Sequence, residues 1–195
     1  MANYVTLALI SDTVMSPACA WNNYDHKLVA NILERHLHSM TNNAIVCFHE
    51  GKSLKYTSIW PYKITSRKSW SHTQPRYTIN INDKRTFSGI IRNRSGDVLE
   101  ALAIQYMRVA DRSLTNRQQW QALAFFVHFS AEIHQPLYLY RRNDRGGNNL
   151  DVKSIDHRNN FNLHQIWGGL LVKNDRPIHK YAKKLDADSV EDTVN

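Results

Sequence analysis

The chain has 195 residues, enough for one domain with a substantial core. Lys and Arg outnumber Asp and Glu by 25 to 17, for a formal net charge of +8. The excess is scattered, which excludes a disordered basic arm and leaves either an ordinary solvated surface or one adapted to polyanions. Two cysteines, Cys19 and Cys47, cannot build a disulfide framework or a thiolate zinc cage, so any metal must be held by histidine and carboxylate.

Residues 4–10, YVTLALI, form a short apolar run, and Ala18-Cys19-Ala20 supplies the small residues of a cleavage site. No Lys or Arg precedes the run and Asp12 interrupts it, so these features alone favour a frayed or partly buried N-terminal segment over a signal peptide. No run is long enough to span a bilayer. Residues 27–40, KLVANILERHLHSM, carry apolar side chains at 28, 29, 32, 33, 37 and 40, the spacing of a helix. The polar, aromatic stretch 41–94 has weak periodicity, and within it Tyr77 to Ile81 reads as a short strand. A second helix starts near Asp97, whose spacing to Glu100 is that of a capping box, and runs through Val98, Leu102, Tyr106 and Val109. A third runs from Thr115 through Trp120, Leu123, Phe126 and Val127 to Ile133 and stops before Pro136. Residues 139–161 form a long polar loop with a turn at Gly146-Gly147 and a short strand around Leu150 to Val152. Helices over 163–172 and, after Pro177, over 178–185 complete a mainly α reading: a helical domain with long loops and a small β-hairpin.

His128 and Glu132 stand four apart on the third helix, so their side chains share one face with Cβ atoms about 6 Å apart. That spacing suits two ligands of one zinc ion, although a histidine on an apolar helix is more often a hydrogen-bonded core residue. The pair gains company from Trp21 and His26 before the first helix, Tyr138 after the Pro-Leu turn and His164 at the start of the fourth.

Four ordered blocks, "AWNNYDHKLVANILERHL", "WQALAFFVHFSAEIHQPL", "DRGGNNLDVK" and "NNFNLHQIWGGLL", resemble the zinc-dependent S1/P1 nuclease family, phosphodiesterases related in fold to bacterial zinc phospholipase C. The resemblance covers roughly Ala20 to Leu185. It implies a signal peptide over residues 1–20, a mature chain that starts at Trp21, a single domain over 21–195, and a secreted or periplasmic location. It also implies a phospholipase C/P1 nuclease-like helical fold around a site with three zinc ions. Carried over, Trp21 and His26 would hold one ion, His128 would hold the second, Glu132 would bridge the two where the family has Asp, and His164 would belong to the third.

The departures fall on four other ligand positions. Tyr62 in "SIWPYKI" stands where the family has an acid, Arg76 in "TQPRYTI" and Tyr138 where it has histidines, and Gly168 where it has another acid. Neutral Tyr and Gly offer no suitable donor, and Arg is a permanent cation. The Trp21, His26, Glu132 site is complete in kind, the second ion loses two ligands, and the third keeps only His164. One zinc is therefore expected against three in the intact family. His49, His72, His134, Asp144 and His157 lie near the blocks as substitute ligands, with His134 better read as capping its helix. Arg76 could hold a phosphate, and Tyr138 and Tyr140 could pack in the interior or stack on bases.

Family members continue past the segment resembling "YAKKL", so a shortened C-terminal end and an open face for a protein partner are expected. Three functions follow: a phosphodiesterase acting on single-stranded DNA or RNA or on nucleotides, a catalytically dead descendant that binds nucleic acid or a partner, and a protein whose single zinc serves only stability. The expectation is an inherited fold with hydrolysis absent or strongly reduced.

Overall fold

The computed structural model describes residues 21–48, 51–65, 67–70, 73, 79–81, 90–91, 94, 96–140, 144–153, 160–170 and 177–191. The first helix, α1 (Asn23–His36), begins four residues before the expected Lys27 because Asn22 caps it. The Asn22 side chain accepts the N–H groups of Tyr24 and Asp25, and the Asp25 carboxylate accepts the Asn22 N–H at 3.0 Å, a reciprocal box that satisfies otherwise orphaned donors. The helix expected to run on to residue 40 instead breaks at Leu37, which is extended, and α2 (Ser39–Phe48) follows.

The stretch 41–94, where weak periodicity gives no helix, holds most of α2 and all of α3 (Leu54–Thr65). Helix α3 escapes a periodicity reading because Pro61 lies inside it and Thr, Ser and Tyr dilute its helical propensity. Its first turn is secured from outside: the Leu54 N–H donates to the Glu34 carboxylate of α1 at 2.7 Å, an anion at a helix N-terminus.

Helices α4 (Val98–Ala110) and α5 (Asn116–Ile133) form an antiparallel hairpin at the expected places. Asp97 caps α4 by accepting from Leu99 and Glu100 N–H, and Thr115 caps α5 in a box with Gln118. The Gln119 amide donates to the Asp111 carbonyl at 2.9 Å and so closes the turn between them. Ala101 and Ala122 are fully buried, and Phe125 and Phe129 of α5 pack with Val98, Ile64 and Ile79.

A three-stranded sheet sets β1 (Ile79–Ile81) antiparallel to β2 (Ile90–Ile91) and parallel to β3 (Leu139–Tyr140), so the expected strand at 77–81 is present over its described part. A hairpin pair, β4 (Asp151–Lys153) with β5 (Asn160–Asn162), stands antiparallel with Val152 opposite Phe161. Asn162 then caps a short helix, α6 (Leu163–Gln165), which widens into a π-helical turn over Ile166–Leu170 rather than continuing as the α-helix expected to 172. The last helix, α7 (Ile178–Glu191), is longer than expected and lies on α1, where Asp186 meets Arg35 and His36. Among the described residues no helix is long and apolar enough to cross a membrane.

Replacing the buried Phe129 by Ala should cost about 3–5 kcal/mol of folding stability, read from urea unfolding, because it empties the seam between α5 and the β1 side of the core. A loss below about 1 kcal/mol would mean that the seam collapses on the gap.

Candidate metal centre

Three helices bring their polar side chains to one buried point. His26 lies in the first turn of α1, Tyr62 on α3, and His128 and Glu132 one turn apart on α5. His26, His128 and Glu132 are fully buried, and one ligand atom from each lies within 4.8 Å of the others. The two imidazoles stack with centroids 4.1 Å apart and planes inclined by 12°, and the Tyr62 ring meets both edgewise.

Glu132 Oε1 is the common neighbour, 3.2 Å from His26 Nε2, 3.4 Å from His128 Nε2 and 2.9 Å from the Tyr62 hydroxyl. The same hydroxyl lies 2.6 Å from the Trp21 carbonyl and 2.7 Å from His26 Nε2. His128 Nδ1 is 2.8 Å from the Ser58 carbonyl on α3, so it carries the proton as donor and Nε2 faces Glu132. A backbone carbonyl that fixes the tautomer in this way is the usual support of a metal-binding histidine.

Burial sets the charge state. It holds His26 down to about 3, and it holds His128 down to about 3 with help from the neighbouring His26 and against Glu132 and the Ser58 carbonyl. Burial raises Glu132 to about 7 against the pull of His128, the Tyr62 and Tyr138 hydroxyls and His164.

His164 is placed by the glycine turn that the sequence marks. Its Nδ1 donates to the Gly146 carbonyl at 2.8 Å, and its backbone N–H donates to the Gly147 carbonyl. Gly147 has φ +81°, and a Cβ there would stand 3.2 Å from the His164 backbone nitrogen, so glycine is required twice over. His164 Nε2 is buried with no hydrogen-bond partner among the described residues. Tyr138 is 2% exposed, and its ring meets the His164 ring at 6.3 Å. No face of Tyr138 is therefore open to stack on a base. Gly168 is buried in the π-helical turn, where its carbonyl accepts from the Asn22 side chain at 3.2 Å. His134 is exposed and caps α5, as its sequence position suggests, and Asp144 accepts the Gly146 N–H in its own turn. Arg76, His49, His72 and His157 lie outside the described residues.

Ser58 and Asp25 escape a motif reading, the first because it contributes a backbone carbonyl. Asp25 was legible in principle, since Asn22 and Asp25 have capping-box spacing.

The sequence model described as S1/P1 Nuclease matches residues 21–194. The chain belongs to the S1/P1 nuclease family. Among curated relatives it is 25% identical to Endonuclease 4 of Arabidopsis thaliana over 181 residues, covering 85% of this chain and 60% of that protein. It is 30% identical to Nuclease P1 of Penicillium citrinum over 114 residues, covering 54% and 39%, and 29% identical to Nuclease S1 of Aspergillus oryzae over 157 residues, covering 75% and 53%. The chain thus spans about 60% of the length of the plant endonucleases it matches.

Does this S1/P1 centre fit zinc? Zinc bonds of about 2.0–2.1 Å put neighbouring ligands of a tetrahedron roughly 3.3 Å apart. The 3.2 and 3.4 Å separations from Glu132 to the two histidines match that edge. The Tyr62 hydroxyl does not match. At 2.6, 2.7 and 2.9 Å from Trp21 O, His26 Nε2 and Glu132 Oε1 it is too close to be another ligand and at hydrogen-bonding distance from all three. His26, His128 and Glu132 thus have the spacing of zinc ligands, and the Tyr62 hydroxyl is hydrogen-bonded beside them.

The buried titratable groups make folding pH-dependent with a definite sign. Both histidines stay neutral in the folded chain down to about 3 but take up protons near 6.5 once unfolded, so stability is lost as pH falls through that window. Glu132 acts oppositely, holding its proton between 4.5 and about 7 when folded, and offsets one of the two histidines there. Unfolding should therefore take up about one proton near pH 5.5 and about two near pH 4, read from the slope of unfolding free energy against pH. A flat profile from pH 6 to 4 would place the imidazoles in water.

Proposed function

We propose that this chain is an S1/P1-type nuclease homologue whose metal centre has eroded, so that hydrolysis of single-stranded nucleic acid is absent or strongly reduced. The observation that carries this reading is the composition of the buried cluster. His26, His128 and Glu132 are the one group of three metal-type side chains among the described residues, and a tyrosine hydroxyl is hydrogen-bonded to two of them, 2.7 Å from His26 Nε2 and 2.9 Å from Glu132 Oε1. Around His164 stand Tyr138 and a glycine turn, with no carboxylate at Gly168 to complete a second set. The expected single zinc at Trp21, His26 and Glu132 is disfavoured by the same hydroxyl, and no hydrolytic step is built on the site as it stands.

A binding role for single-stranded DNA, RNA or nucleotides is the second reading. It is supported by the net charge of +8 and by a cleft of about 310 Å³ that none of the clustered donors lines. The half-buried Trp70 offers aromatic surface there, and Arg108 and Gln121 offer donors, the chemistry that takes up bases and phosphates. Secretion and a mature N-terminus at Trp21 belong to the same reading, supported by a family match that begins at Trp21.

Denatured DNA incubated with the purified protein should remain intact, with and without EDTA. Chelator-sensitive cleavage that disappears in His128→Ala would sink the eroded-centre reading. A labelled single strand should bind, with affinity that falls as salt rises.

A further inference from the structure

Resting on the eroded-centre reading, we propose that the Tyr62 hydroxyl does the structural work of a cation: it joins Trp21, His26 and Glu132, makes folding independent of metal, and closes the cluster to zinc. A cation holds such a cluster together because carbonyl, imidazole and carboxylate all present lone pairs that would otherwise face one another bare. The phenol offers one proton and an acceptor oxygen at the same point. It donates to the Trp21 carbonyl or to Glu132, and it accepts from His26 when that ring carries its proton on Nε2. This leaves His26 Nδ1 as a bare acceptor, and that atom has no hydrogen-bond partner among the described residues, which costs less than burying an orphaned N–H.

The departures from the family pattern are linked in space. Glu132, one methylene longer than the family's Asp, meets the hydroxyl of Tyr62, which occupies a lost ligand position, at 2.9 Å. The hydroxyl of Tyr138, at another lost ligand position, hydrogen-bonds to the same carboxyl group. Three substitutions that each look like decay in the sequence form one connected network in the fold. A connected network lets a buried polar cluster be kept without an ion, and here it leaves Glu132 Oε2 and His26 Nδ1 without a hydrogen-bond partner among the described residues.

The test uses the full chain expressed in zinc-supplemented medium, with zinc content read by elemental analysis and melting temperature by circular dichroism. The wild type should carry well under one zinc per chain, and neither EDTA nor added Zn²⁺ should move its Tm. Tyr62→Phe keeps the ring and removes only the hydroxyl, so its Tm should fall by several degrees. Tyr62→Asp, which empties the phenol's place and supplies a carboxylate, should take up about one zinc per chain, with a Tm that rises on adding Zn²⁺ and falls back with EDTA. Should Tyr62→Asp fail to fold, the wild type and Tyr62→Phe still decide. Stoichiometric zinc in the wild type with a Tm that drops in EDTA, or Tyr62→Phe melting with the wild type, overturns the assignment. Zinc in a protein without nuclease activity would overturn it and leave the eroded-centre reading standing. Cleavage of denatured DNA by a zinc-free wild type, with Tyr62→Phe melting lower, would instead sink that reading and uphold the role of Tyr62.

Discussion

The burial of the Glu132 carboxyl group between two neutral imidazoles and a phenol is the contact around which the rest of the chain is arranged. A carboxyl group in that position needs polar partners, because an unpaired charge there would cost several kcal/mol. Each partner comes from a different helix: His26 from α1, Tyr62 from α3, and His128 from α5 itself. The packing of three helices is thus fixed in register by polar contacts that tolerate little sliding, while the apolar seams around Phe125, Phe129 and Leu54 supply the bulk of the burial.

On the eroded-centre proposal, the same arrangement would be a metal-site scaffold that outlives its ligands. The carbonyls of Ser58 and Gly146 still hold the Nδ1 atoms of His128 and His164, the orientation that a metal-binding imidazole needs. Those carbonyls belong to the backbone, so side-chain substitution does not remove them. Of the proposed departures at 62, 76, 132, 138 and 168, those at 62, 132 and 138 are close enough to interact directly.

Much of this was legible in the sequence, and the exceptions have physical causes. The α4–α5 hairpin announces itself through Asp97, Thr115 and Pro136, strong local signals that tertiary context did not override. The His128–Glu132 pair follows from helical geometry alone. Helix α3 stayed hidden because Pro61 and a run of low-propensity residues conceal a segment stabilised mainly by its buried face and by Glu34. The role of Tyr62 was hidden for another reason. Substitution at an expected ligand position reads as loss, and only the geometry shows that the Tyr62 hydroxyl reaches the Trp21 carbonyl, His26 and Glu132 at once.

Helix α1 has a consequence for how the chain acquires its shape. At its start Asn22 bonds to Gly168, and at its end Arg35 and His36 bond to Asp186, contacts separated by 146 to 151 positions along the sequence. These contacts therefore close long loops of chain between α1 and the elements it packs against. Its docking against α7 is a contact of high order, the kind that slows folding because loop entropy is lost before the contact forms.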